Sequence, residues 1–357
     1  VVEEAARMEE RGTHVLKLNI GNPAPFGFRT PDEVIYDMSQ QLSDCEGYSP
    51  SQGLFSARKA IMQYSQIKKL PNVTINDIYT GNGVSELINL CMSALLDNGD
   101  EILIPSPDYP LWTACATLAG GKAVHYICDE QSDWYPDIED MRRKITDRTK
   151  AIVIINPNNP TGTYVPIGEL EAFADTLPED VLLVMDEAYM EFATEPDCCS
   201  MVDYMKAHPE KPILVLRTFS KYYAMAGLRV GYALGSEELI GIMRKCSASW
   251  NLNVCAQKAA VAGLADQEYY QEQKAKIVEG REYLEKEMAA LGCRVYPSQS
   301  NFIYFDTGKD PAWIQEQLME KGIRIGAFEM SRVSVGTMEE CQLFLQYLKE
   351  ILETAKE

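Results

Sequence analysis

Seven short, mainly apolar runs, most of them separated by helical segments, indicate the fold class of this chain. They lie at residues 77–80, 101–104, 123–127, 151–155, 181–185, 213–217 and 230–234. The runs at 151–155 and 181–185 are continuously apolar, which is typical of strands buried on both faces of a parallel sheet. We therefore predict an α/β fold whose mainly parallel, seven-stranded sheet lies in a three-layer arrangement.

The pattern changes near residue 265. A long charged helical stretch at 267–291 is followed by short strands and helices, which predicts a smaller α+β domain. We expect an N-terminal arm at residues 1–28 that joins this domain, a large domain at 29–264 and the smaller domain at 265–357. A chain of 357 residues can bury cores of this size.

Charge and composition exclude several classes of partner. The net charge of −20, from 33 basic and 53 acidic residues, argues against nucleic acid and anionic membranes. No apolar stretch is long enough to span a membrane. The ten cysteines show no C-x-x-C spacing, which favours a reducing, cytoplasmic location. His14, His125 and His208 lie far apart in the sequence, so we expect no metal site.

A lysine with a following arginine marks the first candidate site. Lys221 lies in the run TFSKYYAMAGLR, which starts at Thr218 and ends at Arg229. A lysine amine is a nucleophile only in its neutral form, and a nearby cation disfavours the protonated form. This arrangement suits an enzyme that holds an aldehyde as a Schiff base beside a phosphate.

Two further candidate sites follow predicted strands. Asp186 and Tyr189 come directly after the apolar run 181–185, where a buried carboxylate could hold a protonated ring nitrogen. Asn159 lies in the rigid turn NPNNPTG at 156–162, directly after the run 151–155. In parallel sheets, ligands bind beyond the carboxyl ends of the strands, so we expect these side chains to lie at one crevice.

A glycine loop at 81–83 joins a predicted strand to a predicted helix. Backbone N–H groups at a helix N-terminus bind phosphate. Glu86 stands where a dinucleotide-binding motif has its third glycine, so the loop does not predict a nicotinamide site. It remains suitable for a monophosphate.

These motifs together resemble the fold-type I, aspartate-aminotransferase-like family of pyridoxal-phosphate (PLP) enzymes of class I and II. The motifs N-P-T-G from Asn159, D-x-A-Y from Asp186 and S-K at Lys221, with Arg229 following, occur in the order of that family. The resemblance extends from Leu18 to the C-terminal helix. It implies a PLP-dependent transaminase.

The resemblance also implies roles for single residues. Lys221 would form the Schiff base with PLP and move the substrate proton, and Asp186 would pair with the pyridine nitrogen. Asn159 and Tyr189 would bond the ring oxygen O3′. Val84 and Ser85 would form the phosphate loop, and Thr218, Ser220 and Arg229 would also surround the phosphate. Tyr109 would stack on the ring, and Tyr48 would cross a homodimer interface to the partner's phosphate.

The implied substrate contacts lie outside the sheet motifs. Arg332, before the last helix, matches the arginine that grips the substrate α-carboxylate. Gly21 belongs to the N-terminal segment that covers the substrate in this family. Asn301 matches a position close to the arginine.

The sequence leaves the substrate open. The N-terminal half resembles bacterial glutamate–pyruvate (alanine) aminotransferases, and the C-terminal half resembles histidinol-phosphate aminotransferases. We expect transfer between an L-amino acid of the glutamate or alanine type and a 2-oxo acid. The alternatives are histidinol-phosphate transamination, a PLP-dependent lyase, and a PLP-binding regulator without turnover.

Overall fold

The computed structural model describes residues 2–354. Its α-helices are α1 Val2–Glu10, α2 Asp32–Gln40, α3 Phe55–Ile67, α4 Gly83–Leu95, α5 Leu111–Leu118, α6 Ile138–Lys144, α7 Ile167–Asp175, α8 Val202–Ala207, α9 Glu237–Cys246, α10 Val254–Ala265, α11 Gln267–Ala290, α12 Pro311–Glu320 and α13 Met338–Thr354. Its strands are β1 Leu16–Lys17, β2 Ile78–Gly81, β3 Glu101–Ser106, β4 Lys122–Asp129, β5 Tyr135–Pro136, β6 Thr149–Ile155, β7 Leu182–Asp186, β8 Ile213–Thr218, β9 Gly231–Leu234, β10 Arg294–Val295, β11 Phe302–Asp306, β12 Ile323–Arg324, β13 Gly326–Ala327 and β14 Ser331–Ser334.

The central sheet contains all seven predicted strands. Its order is β2-β9-β8-β7-β6-β3-β4-β5, and the five strands from β8 to β4 run parallel. Strand β9 is antiparallel to both of its neighbours. The predicted α/β fold is confirmed, but the sheet has an eighth strand that the sequence did not reveal. That strand, β5, is two residues long and lies at the edge of the sheet, where it pairs with β4.

Both faces of the central sheet are buried by helices. Ile152 and Ile154 of β6 pack into one apolar core, and Val153 and Ile155 pack into the other. Successive side chains of a strand point to opposite faces, so a continuously apolar strand must be covered on both sides. This is the three-layer arrangement that the apolar runs predict.

The carboxyl ends of β6, β7 and β8 lie side by side in the sheet. Ile155, the last residue of β6, pairs with Asp186, the last residue of β7, and Asp186 pairs with Leu216 of β8. The amide of Asn156 donates to the Asp186 carbonyl oxygen across 2.9 Å. The turn after β6, the acid that ends β7 and the segment after β8 therefore meet at one edge.

A second, antiparallel sheet of order β10-β11-β14-β13 is built by the C-terminal part of the chain. Strand β1 of the N-terminal arm pairs in parallel with β12. The predicted division into segments 1–28, 29–264 and 265–357 stays a prediction. Residues 1 and 355–357, which those segments include, lie outside the described residues.

Between residues 2 and 354, no helix has both the length and the apolar character that crossing a membrane requires. Over the same range, the acidic, histidine and cysteine side chains form no cluster of three or more that could hold a metal ion.

Candidate active site

Twelve of the fourteen predicted site residues line one cavity of about 280 Å³ at the carboxyl edge of the central sheet. The cavity lining is Asn19, Ile20, Gly21, Val84, Ser85, Tyr109, Ile155, Asn159, Asp186, Ala188, Tyr189, Thr218, Ser220, Lys221, Ala226, Arg229 and Arg332. The predicted residues that do not line it are Tyr48 and Asn301.

Lys221 lies in the loop that follows β8. The loop is tightly tied, because the Ser220 amide donates to the Thr218 hydroxyl oxygen across 3.0 Å. The Ala224 amide donates to the Lys221 carbonyl oxygen across 3.0 Å. The Lys221 Nζ atom lies 5.6 Å from the centroid of the Tyr189 ring. The lysine and the Tyr189 ring thus lie near each other at the cavity wall.

Asp186 is a buried carboxylate with few partners. It accepts hydrogen bonds from the indole Nε1 of Trp112 and from the amide of Ala188, each across 3.2 Å. Burial raises its pKa from 3.8 to about 6, although both hydrogen bonds and the charge of Lys221 oppose that rise. Such a group is well suited to pair with a protonated heteroaromatic nitrogen.

Trp112 is a residue that the sequence analysis missed. It lies on α5, three positions after Tyr109, and its side chain is completely buried. The only local signal is its place on the helix that follows β3, a strand whose carboxyl end lies at the same crevice. Tyr109 itself is 39% exposed and stands at the cavity wall, where its flat ring could cover a planar ligand.

The start of α4 and Arg229 lie next to each other at the cavity. Gly83 has a φ of +74°, and a Cβ atom there would lie 2.7 Å from Nη2 of Arg229. The Arg229 Nη1 atom donates to the Ala226 carbonyl oxygen across 2.9 Å and reaches the Ser220 hydroxyl at 3.5 Å. Val84 and Ser85 present the first turn of the helix to the same space. Amides, hydroxyls and a guanidinium in this arrangement suit a phosphate.

Glu86 has a local role that explains its place in the glycine loop. Its carboxylate accepts from the Asn82 amide across 2.7 Å and from the Asn251 side chain across 2.9 Å. The carboxylate therefore ties the glycine loop to the segment around Asn251.

Arg332 lies on β14 and lines the same cavity as Arg229. Its Nη2 atom donates to the Asn19 carbonyl oxygen across 2.9 Å, and its Nη1 atom donates to Oδ1 of Asn159. Burial lowers the pKa of its guanidinium. The remaining N–H groups of the two terminal nitrogens are in position to grip a carboxylate.

Two predicted residues stand apart from the cavity. Tyr48 is 82% exposed and stacks on Trp250 with ring centroids 5.1 Å apart. Asn301 is buried behind Gly21, where its Oδ1 atom lies 3.2 Å from the position that a Cβ on that glycine would take. Among the described residues, its side-chain amide has no hydrogen-bond partner. The predicted roles of both residues stay predictions.

Comparison with known proteins identifies the family. The family described as aminotransferase class I and II matches residues 13–348. The chain belongs to the class I and II aminotransferases. It is therefore a transaminase, and the prediction of that enzyme class is confirmed.

Relatives of two kinds are similar to this aminotransferase. It is 46% identical over 280 residues to the glutamate-pyruvate aminotransferase AlaA of Escherichia coli, a match that covers 74% of this chain and 67% of the relative. It is 36% identical over 321 residues to histidinol-phosphate aminotransferase 2 of Carboxydothermus hydrogenoformans, with 88% and 86% covered.

Solved structures agree with this family. An alanine aminotransferase from Pyrococcus furiosus superimposes with a TM-score of 0.89 at 30% sequence identity. The superposition covers 99% of this chain and 96% of that one. The fold seen here is therefore the fold of a solved aminotransferase over nearly the whole chain.

Proposed function

We propose that this aminotransferase uses PLP to transfer the amino group between glutamate and pyruvate. The observation that carries the proposal is the meeting of Lys221, Asp186 and Arg332 around one cavity of about 280 Å³. Each residue supplies one group that the reaction needs: an amine, a buried acid and a carboxylate ligand.

The cavity fits the phosphate end of PLP. The first turn of α4 offers the Val84 and Ser85 amides, and Arg229 and Ser220 lie within reach of each other across the same space. The short distance between Gly83 and the Arg229 guanidinium leaves no room for a side chain in this cup. We assign these residues and Thr218 to the phosphate.

The cavity also fits the ring end. Asp186 would hold the ring nitrogen in its protonated state, because a buried carboxylate gains most when it faces a cation. Tyr189 and the side-chain nitrogen of Asn159 would donate to the ring oxygen O3′. The Tyr109 ring would cover one face of the cofactor. The buried acid supports this orientation, since without a cationic partner its charge is costly.

Bound PLP would supply an aldehyde and a ring that takes up the electron pair left at the substrate α-carbon. The chain itself would bind, orient and move protons. Lys221 Nζ would take the proton from the α-carbon and return one to the cofactor side. Arg332 would fix the α-carboxylate so that the α-proton faces Lys221. Asp186 would keep its positive partner in place throughout.

The substrate assignment draws on the relatives and on the charges of the cavity. The AlaA relative supports glutamate and pyruvate. Among the described residues, the cavity-lining cations are Lys221, Arg229 and Arg332. With Arg229 assigned to the cofactor phosphate, Arg332 serves one substrate anion, which suits the α-carboxylate that glutamate, alanine and their oxo acids share.

Histidinol-phosphate transamination is the second candidate, because the chain matches such an enzyme over 88% of its length. That substrate carries a phosphate and no carboxylate, so Arg332 would bind the phosphate instead. A donor and acceptor panel separates the two candidates. Under our proposal, glutamate and pyruvate yield 2-oxoglutarate and alanine. Turnover with histidinol phosphate alone would replace this assignment by the second one.

We further propose that the active form is a homodimer in the cytoplasm. Tyr48 is 82% exposed in the single chain, as expected of a residue that reaches the partner's phosphate. The ten cysteines are all free thiols, which supports a reducing compartment. Borohydride reduction followed by peptide mapping tests the cofactor assignment, because the pyridoxyl group should be found on Lys221.

A further inference from the structure

The Arg332 guanidinium lies between two aromatic rings. Its Cζ atom is 4.8 Å from the ring centroid of Phe302 and 4.8 Å from that of Phe328. Both distances fall within the range of a cation–π contact. Phe302 and Phe328 together are called the aromatic clamp, because both rings lie at cation–π distance from the same charged group.

The inner ring of the clamp is fixed. Phe302 is completely buried on β11, and it meets the Tyr189 ring edge-on with centroids 5.1 Å apart. Tyr189 in turn lies 5.6 Å from the Lys221 Nζ atom. Arg332 thus contacts a buried ring whose packing continues through Tyr189 toward the lysine.

The outer ring is the exposed one. Phe328 is 42% exposed in the turn between β13 and β14, where its amide donates to the Met330 carbonyl oxygen across 2.9 Å. A Cβ atom on Gly326 would lie 2.7 Å from Cε2 of Phe328. Glycine at that position lets the ring lie flat against the arginine, so the local sequence is adapted to this contact.

The clamp decides which part of the guanidinium a ligand can reach. Both rings contact the Arg332 guanidinium, and one N–H of each terminal nitrogen is engaged by Asn159 and Asn19. Among the described residues the Arg332 Nε–H is buried without a hydrogen-bond partner, so one further N–H on each terminal nitrogen is left for a ligand in the cavity that Arg332 lines. A planar cation held in this way presents its two N–H groups in one plane, which is the geometry of a bidentate carboxylate bond.

We propose that Phe328 is a positioning residue of the carboxylate site, holding Arg332 in the plane that a substrate carboxylate requires. The inference rests on the proposed role of Arg332. It adds a residue that does not line the cavity and that would support carboxylate binding by holding Arg332 in place.

The test uses the holoenzyme and three variants. Phe328→Leu keeps an apolar side chain but removes the aromatic ring, whereas Phe328→Tyr keeps the aromatic ring. Tyr347→Leu is the matched control, because Tyr347 has a comparable contact with Lys321 at 5.0 Å away from the cavity. KM and kcat are measured for alanine, and Kd is measured by calorimetry for pyruvate and for the uncharged pyruvamide.

We expect Phe328→Leu to raise KM for alanine and Kd for pyruvate by about tenfold, the factor for a cation–π contact of about 1.4 kcal/mol. We expect kcat to stay within about twofold, Kd for pyruvamide to be unchanged, and Phe328→Tyr and Tyr347→Leu to behave like the parent.

Two results would overturn the inference. One is equal behaviour of the leucine and tyrosine variants, and the other is an equal loss of pyruvate and pyruvamide binding. If the parent binds no pyruvate, the inference also fails. If it binds pyruvate through Phe328 but transfers no amino group to it, the inference holds and the proposed function is the part that fails.

Discussion

The indole N–H of Trp112 donates to the Asp186 carboxylate across 3.2 Å, and both side chains are buried. This bond holds the acid at the end of β7 from the neighbouring helix α5. A donor to a carboxylate stabilises its ionised form, so Trp112 lowers the pKa that burial raises. The tryptophan therefore tunes the acid that we assign to the ring nitrogen.

Replacing Trp112 by phenylalanine removes that donor while keeping an aromatic ring. A hydrogen bond to a charged group contributes about 1.5–3 kcal/mol, so we expect kcat/KM to fall by about tenfold or more. The acidic limb of its pH profile should move to higher pH, because the carboxyl loses a stabilising donor. Trp134→Phe is the control, since Trp134 packs on Tyr296 and Tyr304 elsewhere. An unmoved acidic limb would contradict the role of Trp112.

Asp186→Asn should increase the stability of the cofactor-free protein at pH 8 while abolishing transamination. The folded-state pKa of about 6 lies above 3.8, so the ionised form costs stability above pH 6 and costs nothing below pH 3.8. At 1.36 kcal/mol per pKa unit, the cost is about 3 kcal/mol. Thermal unfolding should show a higher Tm for the variant at pH 8, and a difference that shrinks toward pH 5. A lower Tm of the variant at pH 8 would show that the ionised Asp186 carboxylate does not destabilise the cofactor-free protein.

Much of this site could be predicted because the informative residues follow apolar runs. The run 151–155 led to Asn159 and the run 181–185 led to Asp186, since buried parallel strands end at one edge. The long helical stretch expected at 267–291 is found as α11, Gln267–Ala290. Local periodicity is sufficient for elements of this kind.

The contacts that the sequence did not reveal are formed by tertiary structure. Arg332 and Asn159 are 173 positions apart, and Trp112 and Asp186 are 74 apart. No local pattern marks such pairs. Phe328 could not be predicted as a site residue, because a single apolar residue in a short turn belongs to no periodic pattern. The same is true of β5, which exists only through its pairing with β4.

Gly83→Ala should weaken cofactor binding. The new Cβ atom would lie 2.7 Å from the Arg229 guanidinium, and alanine disfavours the φ of +74°. We expect the Kd for PLP, measured by fluorescence titration of the cofactor-free protein, to rise about tenfold or more, in line with about 1–3 kcal/mol of strain. Gly168→Ala is the control, because its Cβ would meet nothing within 4 Å. Equal Kd values for the two variants would argue against the assigned phosphate cup.

Arg217→Met should destabilise the fold beneath the active site. Arg217 on β8 is buried and paired with Glu187 and Glu191 at 2.7 and 2.8 Å. Removing one partner of a buried ion pair costs about 3–5 kcal/mol, because the other charge is left without compensation. Urea unfolding should report that loss. Adding Glu187→Gln to the variant should recover part of it, and a further loss in the double variant would contradict the pairing.

Mixing two inactive proteins tests whether Tyr48 completes the partner's site. In a Lys221→Ala and Tyr48→Phe heterodimer, one site would carry both substitutions and the other would carry neither. Random exchange of equal amounts then gives about a quarter of the sites in parental form, so activity should exceed that of either variant alone. The exposed position of Tyr48 on Trp250, away from its own cavity, is the reason to expect this. If Tyr48 served its own chain, each site of the heterodimer would carry one substitution, and mixing would yield no gain over the separate proteins.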